Sequence, residues 1–151
     1  MIKVLFVCTG NICRSPMAEA VLRHETEKRG IDVETDSAGT ISYHVGERAD
    51  GRTIAELKKH GITHNGRSRQ VTREDFYKYD YILGMDSGHV ERLAELKPND
   101  SDAVVDLFLN FSEKFNGDVP DPYYINGFDK VYEMVVDGVE GLLKKLSGNK
   151  D

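Results

Sequence analysis

The segment Cys8-Thr9-Gly10-Asn11-Ile12-Cys13-Arg14-Ser15-Pro16 concentrates the groups from which a phosphate-handling site can be built. A cysteine thiol, once ionised, is a strong nucleophile. Arg14 carries a planar fork that matches two oxygens of a tetrahedral oxyanion. Between them, Thr9 to Cys13 form a loop short enough to point several backbone N–H groups at one anion, and Gly10 and Asn11 supply its turn chemistry. The positive dipole end of a following helix and Arg14 both favour the thiolate of Cys8. Ser15 is placed to donate a hydrogen bond to the sulfur. A thiolate facing bound phosphate is set for in-line attack, with the arginine and backbone donors stabilising the equatorial oxygens.

If the leaving group is a tyrosine oxygen, whose hydroxyl has a pKa of about 10, an acid must protonate it as the P–O bond breaks. Pro120-Asp121-Pro122-Tyr123-Tyr124 offers Asp121 in a loop stiffened by two prolines. The same carboxylate then suits activation of water against a phosphocysteine. By itself C-x5-R is a short pattern that also arises by chance. Its context is what gives it weight: a strand before it, Gly and Asn within it, and a Ser-Pro helix start after it.

The elements required to hold such a loop are legible on both sides. Ile2 to Val7 is a continuous apolar run of the kind found in buried parallel strands. A helix is predicted to begin at Ser15-Pro16, with Ser15 as N-cap and Pro16 in the first helical position. Lys28-Arg29-Gly30 closes it. Further strands are predicted at Asp32 to Asp36, Tyr79 to Met85 and Ala103 to Leu107, and helices at Ala49 to His60 and Ser87 to Leu96. From Phe128 to Leu146 apolar residues recur at helical spacing, and residues 148–151 read as a frayed tail. Strands alternating with helices predict a parallel α/β sheet with right-handed crossovers. The loop then sits at the carboxyl end of the first strand, where open sheets of this class bind ligands.

The chain has 151 residues and a net charge of -6, which disfavours a general nucleic-acid binder. Its two cysteines flank one short segment, so they point to chemistry in a reducing compartment rather than to a disulfide framework. No window approaches the length of a membrane span and no signal peptide is visible, so the expected location is the cytoplasm. The five histidines are scattered and no carboxylate cluster shows ligand spacing, so neither a metal nor another cofactor is expected.

The residues from Val4 through Ala20, with Asp36-Ser37-Ala38-Gly39-Thr40, Asp75-Phe76, Asp80-Tyr81-Ile82 and Asp121-Pro122-Tyr123-Tyr124, resemble the low-molecular-weight protein tyrosine phosphatases. The likeness runs nearly the whole chain and implies that residues 1–151 form one α/β domain of this type. Its sheet would have four parallel strands in the order 2-1-3-4, with helices on both faces. It implies Cys8 as nucleophile, Arg14 as phosphate clamp and Asp121 as general acid and then base. Asn11, Ser15 and Ser37 would support the loop, and Cys13 would capture Cys8 as a reversible disulfide under oxidation. Tyr43 and Tyr123 match positions that wall the pocket, with Ile12 and His44 beside them. The substrates implied are phosphotyrosine proteins, and Tyr123 or Tyr124 would be a target for a partner tyrosine kinase. A monomer, or weak self-association through the active-site face, is expected. One departure stands out: many members carry a histidine where Gly66 and Arg67 stand here.

Two related activities share the fold. Arginine phosphatases carry threonine where this chain has Ile12, so Ile12 with Tyr43 and Tyr123 favours phosphotyrosine. Arsenate reductases relay a disulfide through additional cysteines, and this chain has no cysteine beyond Cys13. A phosphate-binding module without catalysis would lack the nucleophile, the arginine or the acid, and all three are present.

Overall fold

In a computed structural model that describes residues 1–123 and 127–147, the chain forms an α/β domain. Four parallel strands lie in the order β2-β1-β3-β4: β1 (Ile2–Cys8), β2 (Val33–Gly39), β3 (Tyr81–Gly84) and β4 (Val104–Leu107). The helices are α1 (Arg14–Arg29), α2 (Gly51–Lys58), α3 (Asp75–Lys78), α4 (Ser87–Leu96) and α5 (Phe128–Leu146), and a 3-10 turn (Phe108–Phe111) follows β4. The expected sheet order, strand direction and two-faced layering are all present.

β1 is the central strand, and its period of two divides the core. Val4 and Phe6 face α1, α2 and α5, where Met17, Val21, Leu57, Val135 and Val139 pack. Leu5 and Val7 point the other way, toward Phe76 of α3 and Leu93 of α4. Phe6 meets Phe108 edge-on, with centroids 5.4 Å apart. Fully buried side chains of this kind contribute about 1.5–3 kcal/mol each. The stripe on α5 packs as its spacing predicts, but Gly138 and Gly141 give it a closeness that periodicity does not reveal. A Cβ at 141 would run into the Phe111 carbonyl, and one at 138 into the Phe108 ring.

Several boundaries shift. β2 continues through Gly39 because its register with β1 runs from Ile2↔Val33 to Cys8↔Gly39. α2 is shorter than Ala49 to His60, since the Asp50 side chain caps it through the Arg52 N–H. α1 starts two residues before Pro16, at Arg14, with Cys13 in the N-cap position, so Ser15 is not the cap. Its hydroxyl is already engaged inside the loop, as described below. Gly30 (φ 69°) ends α1 in the left-handed conformation that its residue type predicts. The tail at 148–151 and Tyr124 lie outside the described residues.

Candidate active site

Cys8 is the last residue of β1 and is 3% exposed, with residues 9–13 curling around it before α1 begins. Asn11 holds the loop in shape with φ 59°, the left-handed region that asparagine tolerates better than most side chains. Its Oδ1 accepts the Arg69 backbone N–H at 3.0 Å, and its Nδ2 donates to Ser15 Oγ at 2.9 Å. Ser15 Oγ lies 2.9 Å from Cys8 Sγ. A thiolate only accepts, so in that state the serine hydroxyl donates to sulfur. Gly39 ends β2 directly beneath this turn. A Cβ there would stand 2.7 Å from the Thr9 carbonyl oxygen, so the close approach of loop and sheet requires glycine.

Arg14 is 3% exposed, yet its guanidinium reaches the cleft because three groups orient it. Nη1 donates to Asp86 Oδ2 and to the Val119 carbonyl, both at 3.0 Å, and Nη2 lies 3.5 Å from Asp121 Oδ2. Asp86 is the N-cap of α4, and its carboxyl lies below the usual range. Burial works against that shift, but the His89 backbone N–H, His89 and Arg14 outweigh it.

The cleft encloses about 420 Å³, with Cys8, Ile12, Cys13 and Arg14 among its buried lining. Tyr43 and Tyr123 are its exposed aromatics. His44 stands between them: its ring meets Tyr43 edge-on at 4.8 Å and Tyr123 at 6.5 Å, while its Nδ1 pairs with Glu47 at 3.0 Å. Asp121 also lines the cleft, and its Oδ1 accepts the Tyr123 N–H at 3.0 Å. The loop that carries it is anchored at its root by the Val119 N–H to the Met85 carbonyl and by the Ser87 N–H to Asp118. Arg52 anchors the far side, donating to the Tyr123 carbonyl at 3.1 Å with its guanidinium 5.3 Å from the Tyr123 ring centroid. Proline stiffness was legible in sequence; these anchors were not. Cys13 is buried, and burial pushes its thiol up to about 12, with Asp50 and Cys8 adding to the effect.

Ser37 is set one layer below the loop and donates to Glu19 Oε1 at 2.5 Å. His64 Nε2 lies 3.0 Å from the same oxygen, and Arg23 donates to Oε2 at 2.6 Å. A Cβ at Gly66 would meet the His64 ring at 3.2 Å, so an imidazole fills the space beside Gly66 from two residues earlier. Burial would raise the Glu19 carboxyl, but the hydrogen bonds from His64 and Ser37 and the charge of Arg23 overcome it and hold it below its ordinary value. A depressed folded-state pKa stabilises the protein above the unfolded value, about 4.3, and that contribution is lost as pH falls through the folded value. Glu19→Gln is therefore expected to lower the melting temperature at pH 7, by a margin that narrows as pH drops below 4. Thermal melts of both proteins across pH 3–8 check this, and a margin independent of pH would contradict it.

Among the described residues, no group of three or more His, Cys, Asp or Glu side chains comes together as a metal-ligand set. Nor is any helix among them long and apolar enough to cross a membrane.

The sequence model for "Low molecular weight phosphotyrosine protein phosphatase" matches residues 3–151. The Schizosaccharomyces pombe low molecular weight phosphotyrosine protein phosphatase is 45% identical over 152 residues, which span 97% of each chain. The crystal structure of YfkJ from Bacillus subtilis superposes with a TM-score of 0.93 at 37% identity, covering 100% of this chain and 98% of that one. That of the Drosophila arginine phosphatase superposes at 0.89 with 37% identity, covering 96% and 98%. With the cysteine-arginine loop, the four-stranded order and the whole length in agreement, the chain belongs to the low molecular weight phosphotyrosine protein phosphatase family and is a protein-tyrosine-phosphatase.

Proposed function

We propose that the reaction passes through a phosphocysteine on Cys8, with Asp121 as general acid and then base. The Cys8 thiolate attacks phosphorus and forms an S–P bond as the P–O bond to tyrosine breaks. Asp121 gives its proton to the leaving oxygen. Its carboxylate then takes a proton from water, the resulting oxygen attacks phosphorus, the S–P bond breaks, and phosphate and the thiolate are released. One observation carries this reading: Arg14 is held by Asp86 and Val119 so that its remaining fork lies beside Asp121, over the loop that encloses Cys8. Phosphate entering the loop meets nucleophile, clamp and acid together. Ser15 supports the sulfur when it attacks and when it departs.

Phosphotyrosine in proteins is the substrate the walls favour. Ile12 gives the cleft a branched apolar side chain rather than the hydroxyl that could hydrogen-bond a phosphoguanidine, and Tyr43, His44 and Tyr123 frame its mouth for a flat ring. The likeness to the Drosophila arginine phosphatase matches in identity that to YfkJ, a low molecular weight protein-tyrosine-phosphatase, so the fold does not select between the two substrates. Selection is therefore assigned to the loop residue. Matched phosphotyrosine and phosphoarginine peptides, assayed side by side for phosphate release, are expected to differ in kcat/KM by 100-fold or more, about 2.7 kcal/mol, in favour of tyrosine. Equal rates, or preference for arginine, would remove Ile12 from the selective role.

A further inference from the structure

His89 lies outside the loop and outside every role assigned above, yet it is buried against the loop and 4% exposed. Its backbone is pinned at the end of β3, where a Cβ on Gly84 would stand 3.0 Å from the His89 Cβ. Its ring makes two hydrogen bonds that together fix its protonation pattern. The Asp86 backbone N–H donates to Nδ1 at 3.1 Å, so Nδ1 carries the lone pair. Nε2 then carries the proton and donates it to Thr9 Oγ1 at 2.9 Å. Asp86 returns the contact by accepting the His89 N–H on Oδ1 at 3.0 Å, and its other oxygen holds Arg14. One capping box thus touches both ends of the phosphate loop.

We propose that His89, as a neutral imidazole, is a positioning residue that sets the Thr9 hydroxyl and, through Asp86, the Arg14 guanidinium for phosphate. Because Thr9 Oγ1 accepts from His89, its own proton is left to donate, and Thr9 lines the cleft. A phosphoryl oxygen only accepts, so the histidine turns an ambiguous hydroxyl at the cleft lining into a donor. Besides Asp86, the charged groups acting on the ring are Arg14, Asp121 and Asp118. Burial drives its pKa down to about 4, Asp86 opposes that shift, and Arg14 adds to it. A second proton would fall on Nδ1, facing the Asp86 N–H, and would draw the ring toward Asp86 Oδ1, 3.3 Å away, at the expense of the cap.

The inference rests on the phosphatase reading, and hydrolysis of p-nitrophenyl phosphate by the parent enzyme is the control for that reading. Thr9→Val removes the acceptor. His89→Asn keeps an oxygen for the Asp86 N–H but is too short to reach Thr9. Each is expected to lower kcat/KM about tenfold, the double variant no further than the worse single, and Thr9→Ser to stay within about twofold of the parent. Multiplying losses in the double variant, or a His89→Asn enzyme as active as the parent, would each overturn the proposal. If His89→Asn melts early, Thr9→Val and Thr9→Ser carry the test: equal loss in both would overturn it as well.

Discussion

Cys8→Ser is expected to reduce turnover by about 10⁴-fold or more while leaving inorganic phosphate bound at nearly the parent affinity. The reason lies in the division of labour within the loop. In the proposed mechanism backbone donors and Arg14 hold the anion, and Arg14 is oriented by Asp86 and the Val119 carbonyl, neither of which depends on the sulfur. A serine hydroxyl placed there ionises far less readily than a thiol, so binding persists and attack does not. Rapid quench of the parent with labelled p-nitrophenyl phosphate is expected to trap one phosphoryl group per chain, carried on cysteine. The variant is expected to trap none. A variant retaining more than about 1% of parental turnover would take Cys8 out of the nucleophilic role.

The second large effect is expected at Asp121. Removing a general acid costs about 10²–10⁴-fold where the leaving group is poor. Asp121→Ala should therefore lose that much kcat/KM on phosphotyrosine peptides and much less on p-nitrophenyl phosphate, whose leaving oxygen departs without help. The comparison belongs in kcat/KM, which in the proposed mechanism reports formation of the phosphoenzyme; kcat also contains the water step, where the same carboxylate is assigned the base role. Phosphate should also bind the alanine variant more tightly, because Asp121 Oδ2 lies 3.5 Å from the Arg14 guanidinium and competes for it in the empty site. Equal losses on both leaving groups would move the acid role elsewhere.

How these groups come to share one cleft depends on contacts between residues far apart in sequence. Arg14 is aligned by Asp86, 72 positions away, and by Val119, 105 positions away. Thr9 is joined to His89 across 80 positions. Asp86 and His89 read in sequence only as the start of a helix, three residues apart in capping spacing, and nothing local distinguishes a cap that stabilises a helix from one that also orients an arginine. Arg52 likewise reads as a charged residue on a helix surface. Its grip on Tyr123 depends on where the acid loop returns.

The sequence alone determined the loop, the strand before it, the helix after it, the sheet order through family resemblance, and the three residues proposed for the chemistry. Those are local or pattern properties: an apolar run, turn residues, a fork of fixed reach, a carboxyl between prolines. The helix starts two residues before its expected position because the Ser15 hydroxyl, a good cap by type, is taken by Asn11 and Cys8 once the loop closes. The resemblance places Ser37 in the network that supports the loop; its hydroxyl turns to Glu19, where His64 and Arg23 also converge. Tertiary structure alone decided these matters, because a buried donor takes whichever acceptor the packed chain brings within about 3 Å, and packing is set by all the elements together.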